Sequence, residues 1–351
     1  MAPSTPYLLV DQARLRANIE ETARRAAEAG VSLRPHVKTH KCLEIARLQR
    51  AAGAHGITVA TIGEAEVFVA DGARDVFIAY PLWLDSERGS RLAALTERAA
   101  VSVGVDCEEG AQQLARQLRG RAVDVVVEVD SGHHRTGVDP AGAGRVADAA
   151  RRAGLRVRGV FTFPGHAYLP EGRRAAAEQE ASALAVAAEA LRTRGHEVMV
   201  VSGGSTPSLG DADSAVLTEW RPGVYVFGDA QQWELGSMTA DRIALTCVTT
   251  VVSHAGGRAV VDAGSKALGA DRAPWATGFG RVLDEPDARV VQLSEHHAVV
   301  ELPTRQLPPL GSALSLVPNH VCNAVNLADT LWVRDEGGLV AWPVDARGRN
   351  A

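Results

Sequence analysis

Apolar and polar positions fall into two regimes along the chain. Over the first two-thirds, short apolar runs alternate with long Ala/Arg/Glu-rich stretches whose apolar positions recur at helical spacing. Tyr7–Val10 reads as a short strand. Asp11 then caps a helix that carries Leu15, Ile19, Ala23 and Ala26 on one face and stops at Gly30. The unit recurs. Strands are expected at Leu33–Val37, Gly56–Ala60, Val76–Ala79, Val101–Val105, Val123–Val129, Val157–Phe161, Val198–Val201 and Gly223–Phe227. Helices are expected at Cys42–Ala52, Gly63–Ala70, Ser86–Ala99, Glu108–Leu118, Ala141–Ala153 and Arg173–Arg194. Eight such strands with crossover helices predict an α/β fold, a closed (β/α)8 barrel of the TIM type. A doubly wound open sheet is the alternative, but no GxGxxG follows the early strands.

After about residue 235 the period changes. Arg242–Ser253, Ala259–Asp262, Val290–Ser294, Ala298–Leu302, Ala313–Val317, Thr330–Arg334 and Leu339–Val344 are short runs separated by Gly and Pro, without long helical stretches. They predict an all-β C-terminal domain. The Tyr7–Val10 strand can join it, so the expected division is a barrel over 12–235 and a β domain over 236–351 with 1–11.

Charge narrows the classes of partner. With 37 basic and 42 acidic residues the chain carries −5, so no basic field exists for nucleic acid or anionic lipid. No run of 18 apolar residues spans a membrane, and the first residues lack the charged and apolar regions of a secretory signal. The four cysteines, at 42, 107, 247 and 322, have no CxxC spacing, which fits reduced thiols and a cytoplasmic location.

Three polar clusters can do chemistry. Arg34–Lys41, Arg-Pro-His-Val-Lys-Thr-His-Lys, ends the first barrel strand, where such barrels carry their active sites. On a strand, His36, Lys38 and His40 share one face, and Lys38 beside cationic neighbours suits a nucleophilic amine. Read blandly, Lys38 and Lys41 are solvated loop lysines. The second cluster is paired: Ser202-Gly203-Gly204-Ser205-Thr206-Pro207 follows the seventh strand, and Arg221-Pro222-Gly223-Val224-Tyr225 opens the eighth. Loops there are the usual phosphate site of the fold, small residues letting N–H groups approach and hydroxyls adding donors. A plain Gly-Ser turn is the alternative. A Schiff-base lysine with a phosphate cradle describes a pyridoxal phosphate site. Between these, Arg135 can hold a cofactor oxygen or a substrate carboxylate, while His166 and Tyr168 can line the pocket. The third cluster is Pro318-Asn319-His320-Val321-Cys322-Asn323. In an extended segment His320 and Cys322 face the same way, and imidazole with thiolate suits Zn²⁺. A core cysteine beside a loop histidine is the other reading. Glu295 and His296 form a nearby donor-rich stretch.

Together the clusters resemble the D-threonine aldolase and D-serine dehydratase family, pyridoxal phosphate barrels with a β domain related to alanine racemases. The resemblance runs through Arg34–Lys41, Gly165–Tyr168, Gly203–Pro207, Arg221–Tyr225, Asp262–Lys266 and Pro318–Cys322, and covers essentially the whole chain. It implies Lys38 as the Schiff-base lysine, with Tyr168, Thr206, Gly223 and Val224 around the cofactor. It also implies His320 and Cys322 as metal ligands, and a homodimer. The aldolase branch carries His-x-Asp, suited to Mn²⁺ or Mg²⁺. Cys322 matches the zinc-dependent D-serine dehydratase branch instead, although Asn323–Leu327 is similar to aldolase sequences. The expected function is therefore elimination from a D-3-hydroxy amino acid such as D-serine, D-threonine or 3-hydroxy-D-aspartate, giving a 2-oxo acid and ammonia. The alternative is aldol cleavage to glycine and an aldehyde. A pyridoxal phosphate homeostasis protein would lack the β domain. A two-base racemase of the related type would need a second-domain tyrosine, and none lies beyond Tyr225.

Overall fold

A computed structural model describes residues 3–121, 123–303 and 306–351. Residues 1–2, 122 and 304–305 of the expected domains lie outside the described residues. The chain divides into two compact units. One comprises Met1–Glu21, Thr39–Leu48 and Val224–Gly348; the other comprises Thr22–Lys38, Gln49–Gly223 and Arg349–Ala351.

β1 (Tyr7–Asp11) leads straight into α1 (Gln12–Glu28), and Asp11 caps it by accepting the Arg14 N–H at 3.0 Å. Gly30, at φ 67°, ends that segment. The βα units follow in order: β2 (Ser32–Leu33), α2 (Leu43–Ala51), β3 (Ile57–Val59), α3 (Ile62–Ala70), β4 (Asp75–Pro81) and α4 (Ser86–Leu95). They continue with β5 (Ala100–Val105), α5 (Glu108–Leu118), β6 (Asp124–Glu128), α6 (Ala143–Arg152), β7 (Arg156–Phe161), α7 (Arg173–Arg192), β8 (Val200–Gly203) and β9 (Glu219–Trp220). β2 to β9 form one eight-stranded parallel sheet, ordered β2-β9-β8-β7-β6-β5-β4-β3. A parallel bridge between His36 and Thr58 joins its two ends. The fold class is thus the TIM-like parallel sheet that the periodicity predicts.

The middle of this sheet is apolar and its lower part is charged. Phe77, Val126 and Phe161 pack together, the two rings edge-on at 4.9 Å. Below them the buried Arg34 donates to Glu219 at 2.6 Å and to Asp75 at 2.6 Å. Burial opposes the Arg34 charge, but the two carboxylates outweigh it and hold the guanidinium firmly protonated. Gly56 is required here, because a Cβ would stand 2.3 Å from Arg34 Nη1.

Two strand expectations are corrected. The first barrel strand stops at Leu33, and Val37–Thr39 is a 3-10 turn. Pro35 has no N–H for the ladder, so pairing dwindles to the His36 bridge and the chain bends. The expected strand Gly223–Phe227 is instead a 3-10 turn at Val224–Val226; the eighth strand is β9, cut off by Pro222. Arg221–Gly223 therefore follows the eighth strand instead of opening it.

In the other unit, α8 (Ala230–Glu234) precedes β10 (Leu245–Ser253), β11 (Ala259–Val261) and α9 (Ser265–Leu268). Then come β12 (Gly280–Val282), β13 (Glu285–Leu293), β14 (Ala298–Glu301), β15 (Ala313–Pro318), α10 (Val321–Leu327), β16 (Thr330–Asp335) and β17 (Gly338–Pro343). The sheet order is β11-β14-β13-β12-β15-β10-β1-β16-β17, and β10 also pairs with β11. That pairing closes six strands into a ring, with bulges in β10, β12 and β13 supplying the bends. β1 lies inside the sheet, antiparallel to β10 and parallel to β16. Among the described residues no helix is long and apolar enough to cross a membrane.

Candidate active site

The predicted barrel residues stand on segments that follow the C-terminal ends of strands, where side chains are free of the ladder. Lys38 is in the 3-10 turn, so it does not share a strand face with His36 and His40. His40 is fully buried and its Nδ1 accepts the Cys42 N–H at 3.1 Å. Nor is Lys41 a solvated lysine: it is buried, and its Nζ donates to Asn326 Oδ1 at 2.7 Å.

Lys38 Nζ lies 5.9 Å from the centre of the Phe163 ring, and the Arg135 guanidinium lies 5.1 Å from the same centre. His133 meets that ring edge-on at 5.6 Å, and Tyr168 stands 6.3 Å from it. The loops after β6 and β7 interlock through two glycines. A Cβ on Gly165 would strike the His133 ring at 2.5 Å, and one on Gly132 would press on His166 at 3.4 Å. Burial, then Arg135 and His166, hold His133 below its ordinary pKa. Both ring nitrogens of His166 are buried without a hydrogen-bond partner among the described residues.

The loop after β8 is built for close approach. Gly204 adopts φ 80°, and Ser205 and Ser208 are buried with their hydroxyls 2.8 Å apart. The Trp220 indole N–H is buried without a partner among the described residues, and its ring edge lies 3.5 Å from where a Gly204 Cβ would stand. Beneath, Arg221 is buried between the Phe77 and Phe161 rings, donating to Ser202 and to the Thr162 carbonyl. An amine, small-residue turns with hydroxyls, and buried donors awaiting acceptors fit pyridoxal phosphate.

The second group lies within the β unit. His320 is the N-cap of α10 and Cys322 sits in its first turn, so the segment is not extended as expected. The two side chains still converge by hydrogen bonding to each other. Cys322 Sγ donates to Thr39 Oγ1 at 3.3 Å, Thr39 being the residue after Lys38 in the chain. His320 Nδ1 lies 3.0 Å from Asp271 Oδ2, which orients the ring and leaves Nε2 for another partner. Asp229 accepts the Val321 N–H at 3.2 Å and the Gln232 N–H at 2.9 Å, tying α10 to α8. Among the described residues no group of three or more His, Cys, Asp or Glu is placed to hold a metal. The two-donor set, imidazole and thiol with a carboxylate behind the imidazole, fits a Zn²⁺ ion that keeps open positions. Val224 and Tyr225 are buried in their 3-10 turn. Glu295 and His296 do not join this group. Glu295 pairs with Lys266 at 2.7 Å, and both line a separate cavity of about 390 Å³ with Asp262 and Trp332.

The sequence reading did not single out Phe163, His133, Trp220, Asp271, Asp229 or Glu180. Glu180 had a signal. It falls on the buried stripe Ala177, Glu180, Leu184, Ala187, Leu191 of α7, where a charge is out of place. Asp271 had none.

Two family models match: the alanine racemase N-terminal domain over residues 10–231 and the serine dehydratase domain over residues 244–334. The chain belongs to the alanine racemase-like family of fold-type III pyridoxal phosphate enzymes. Its relatives lie among lyases of D-3-hydroxy amino acids. D-threo-3-hydroxyaspartate dehydratase of Delftia sp. (strain HT23) is 36% identical over 348 residues, spanning 91% of this chain and 90% of that one. D-threonine aldolase of Arthrobacter sp. is 35% identical over 358 residues, spanning 98% and 93%. The solved Delftia dehydratase superposes with a TM-score of 0.90 at 33% identity, covering 97% of both chains. D-threonine aldolase from Filomicrobium marinum superposes at 0.89 with 34% identity, covering 98% and 95%. Alanine racemase of Clostridium difficile 630, at 13% identity and 0.71, shares the fold alone.

Proposed function

We propose that the protein is a pyridoxal phosphate- and Zn²⁺-dependent lyase that dehydrates a D-3-hydroxy amino acid, the enamine product taking water back up to give a 2-oxo acid and ammonia. The convergence of His320 and Cys322, with Asp271 behind the imidazole, carries this reading. A thiolate selects Zn²⁺ over hard ions. Solved forms of the Delftia dehydratase include a cysteine-to-alanine variant described as metal-free and a histidine-to-alanine variant two positions away, the spacing of His320 and Cys322.

When bound, pyridoxal phosphate supplies an electron sink and Zn²⁺ a Lewis acid for the β-hydroxyl. The chain does the rest. Lys38 would hold the cofactor through its amine and would serve as the base that takes the α-proton. Thr206, Gly223 and Val224 hold the phosphate with the Ser205 hydroxyl, while the Gly204 and Ser205 N–H groups, bonded to Glu180 and Ser208, shape the turn. His166 and Tyr168 line the pocket. Arg135, exposed at its edge, takes a carboxylate. The family resemblance supports a homodimer, and the four well-separated cysteines suit a cytoplasmic location.

Aldol cleavage to glycine and an aldehyde is the second reading, favoured by the D-threonine aldolase likeness over 98% of the chain. A product assay decides. Purified enzyme is given D-serine, D-threonine and both 3-hydroxy-D-aspartate isomers, with and without Zn²⁺. Zinc-dependent 2-oxobutyrate from D-threonine is the expected result. Glycine with acetaldehyde as the sole products would replace elimination by the aldolase reaction.

A further inference from the structure

The loop that follows β8 is fastened by a carboxyl group from a different element. Glu180, on α7, is fully buried, and its Oε1 accepts the Gly204 N–H at 2.7 Å. The fit is tight: a Cβ on Gly203 would stand 2.4 Å from Glu180 Oε1 and 2.9 Å from Leu217 Cδ2. Its second oxygen, Oε2, is buried without a hydrogen-bond partner among the described residues. Leaving such an atom unpaired is costly, and an apolar side chain would fill the same stripe of α7 without that cost.

We propose that Glu180 is a positioning residue for the cofactor phosphate, holding the Gly204 N–H so that the Gly204–Ser205–Thr206 turn presents its remaining donors to the anion. The proposal rests on the pyridoxal phosphate reading above. Charge gives it a consequence that a purely structural contact lacks. Burial pushes the Glu180 carboxyl up to about 7, the Gly204 N–H and the buried Arg221 guanidinium working the other way. Arg221 is the charge acting on it among the described residues. A neutral acid keeps the acceptor that the turn needs and adds no negative charge beside a phosphate. Above pH 7 the acid ionises and repels the anion it had been holding in place. Cofactor retention therefore weakens as pH rises through 7.

The test uses full-length holoenzyme with wild-type, Glu180→Gln and Glu180→Ala chains. Cofactor release is timed after dilution into a scavenger between pH 6 and pH 8.5, and Gly204 amide exchange is measured on the same samples. Wild-type release should accelerate about tenfold across this range, the scale of one close like-charge repulsion. Glu180→Gln keeps an uncharged acceptor, so its release should be slow and lack that acceleration. Glu180→Ala should release faster at every pH, and its Gly204 amide should exchange at least about tenfold faster than in the other two, since an opened hydrogen bond is lost protection. A Glu180→Gln profile that tracks wild type, or unchanged Gly204 exchange in Glu180→Ala, would overturn the proposal. If borohydride traps no adduct on wild-type protein, the function reading fails instead, and Gly204 exchange still judges the clamp.

Discussion

Single residues carry most of what this protein asks of water exclusion. Burial, opposed by Thr136 and Arg135, pushes Glu128 up to about 7, and its Oε2 has no partner among the described residues. An unfolded chain ionises this carboxyl near its ordinary 4.5, so the folded state loses stability as pH climbs from there to 7. Glu128→Gln should leave stability unchanged at pH 4.5 and raise it by up to about 3 kcal/mol at pH 7.5. Urea midpoints at the two pH values check this; an equal shift at both would refute it. Cys322 gives a second residue-scale prediction. Cys322→Asp exchanges a soft donor for a hard one, so bound zinc should fall at least about tenfold while Mn²⁺ affinity rises, read by metal analysis after dialysis. The chemistry-bearing residues were legible where several stood close in sequence, as around Lys38, Gly204 and His320. Phe163, Asp271 and Trp220 were not, because each acquires meaning only from a neighbour far away in the chain.

At the scale of elements, the reading failed wherever proline ended a ladder early. Pro35 and Pro222 each turn an expected strand end into a 3-10 turn, and so move Lys38 and Arg221 from strand faces into loops. The helices were legible to within a few residues, Glu108–Leu118 without any shift, because Ala-rich amphipathic periods are long and unambiguous. The short helices α8 and α10 were missed. They are too brief to show a period and are set by a shared cap. Asp229 caps α8 and receives the first N–H of α10, and burial pushes its carboxyl up to about 6. Asp229→Ala removes both bonds and should cost about 2–4 kcal/mol by chemical denaturation, with zinc content falling in parallel. Asp229→Asn keeps an acceptor and should recover much of the loss. A similar logic governs the charged layer under β2 and β9. Arg34→Ala takes the ion pair from buried Glu219, leaving it the Ser202 hydroxyl and the charge of Arg221, at a cost of about 3 kcal/mol. Adding Glu219→Gln should restore part of it; a strictly additive double variant would mean that the pair is not coupled.

Across the whole molecule, both regimes of the sequence became the two sheets they foretold, and the family likeness extends through both. The one-dimensional pattern already allowed Tyr7–Val10 to join the β domain; it did not convey that 39–48 belongs to the same unit or that β1 lies inside its sheet. Each unit is assembled from separated stretches of chain, and β1 from the extreme N-terminus is an interior rung of the β sheet, flanked by β10 and β16. Cutting the chain near residue 235 would therefore pull an inner rung out of the C-terminal sheet and expose the open edges of two strands. Residues 236–351 made alone should aggregate or stay molten, visible as lost near-ultraviolet circular dichroism. Supplying 1–11 through a new peptide link, in a circular permutant, should bring the signal back. The C-terminal sheet is thus not a detachable module: genetic shuffling of it between relatives would need two simultaneous crossovers, one just after β1 and one near residue 235.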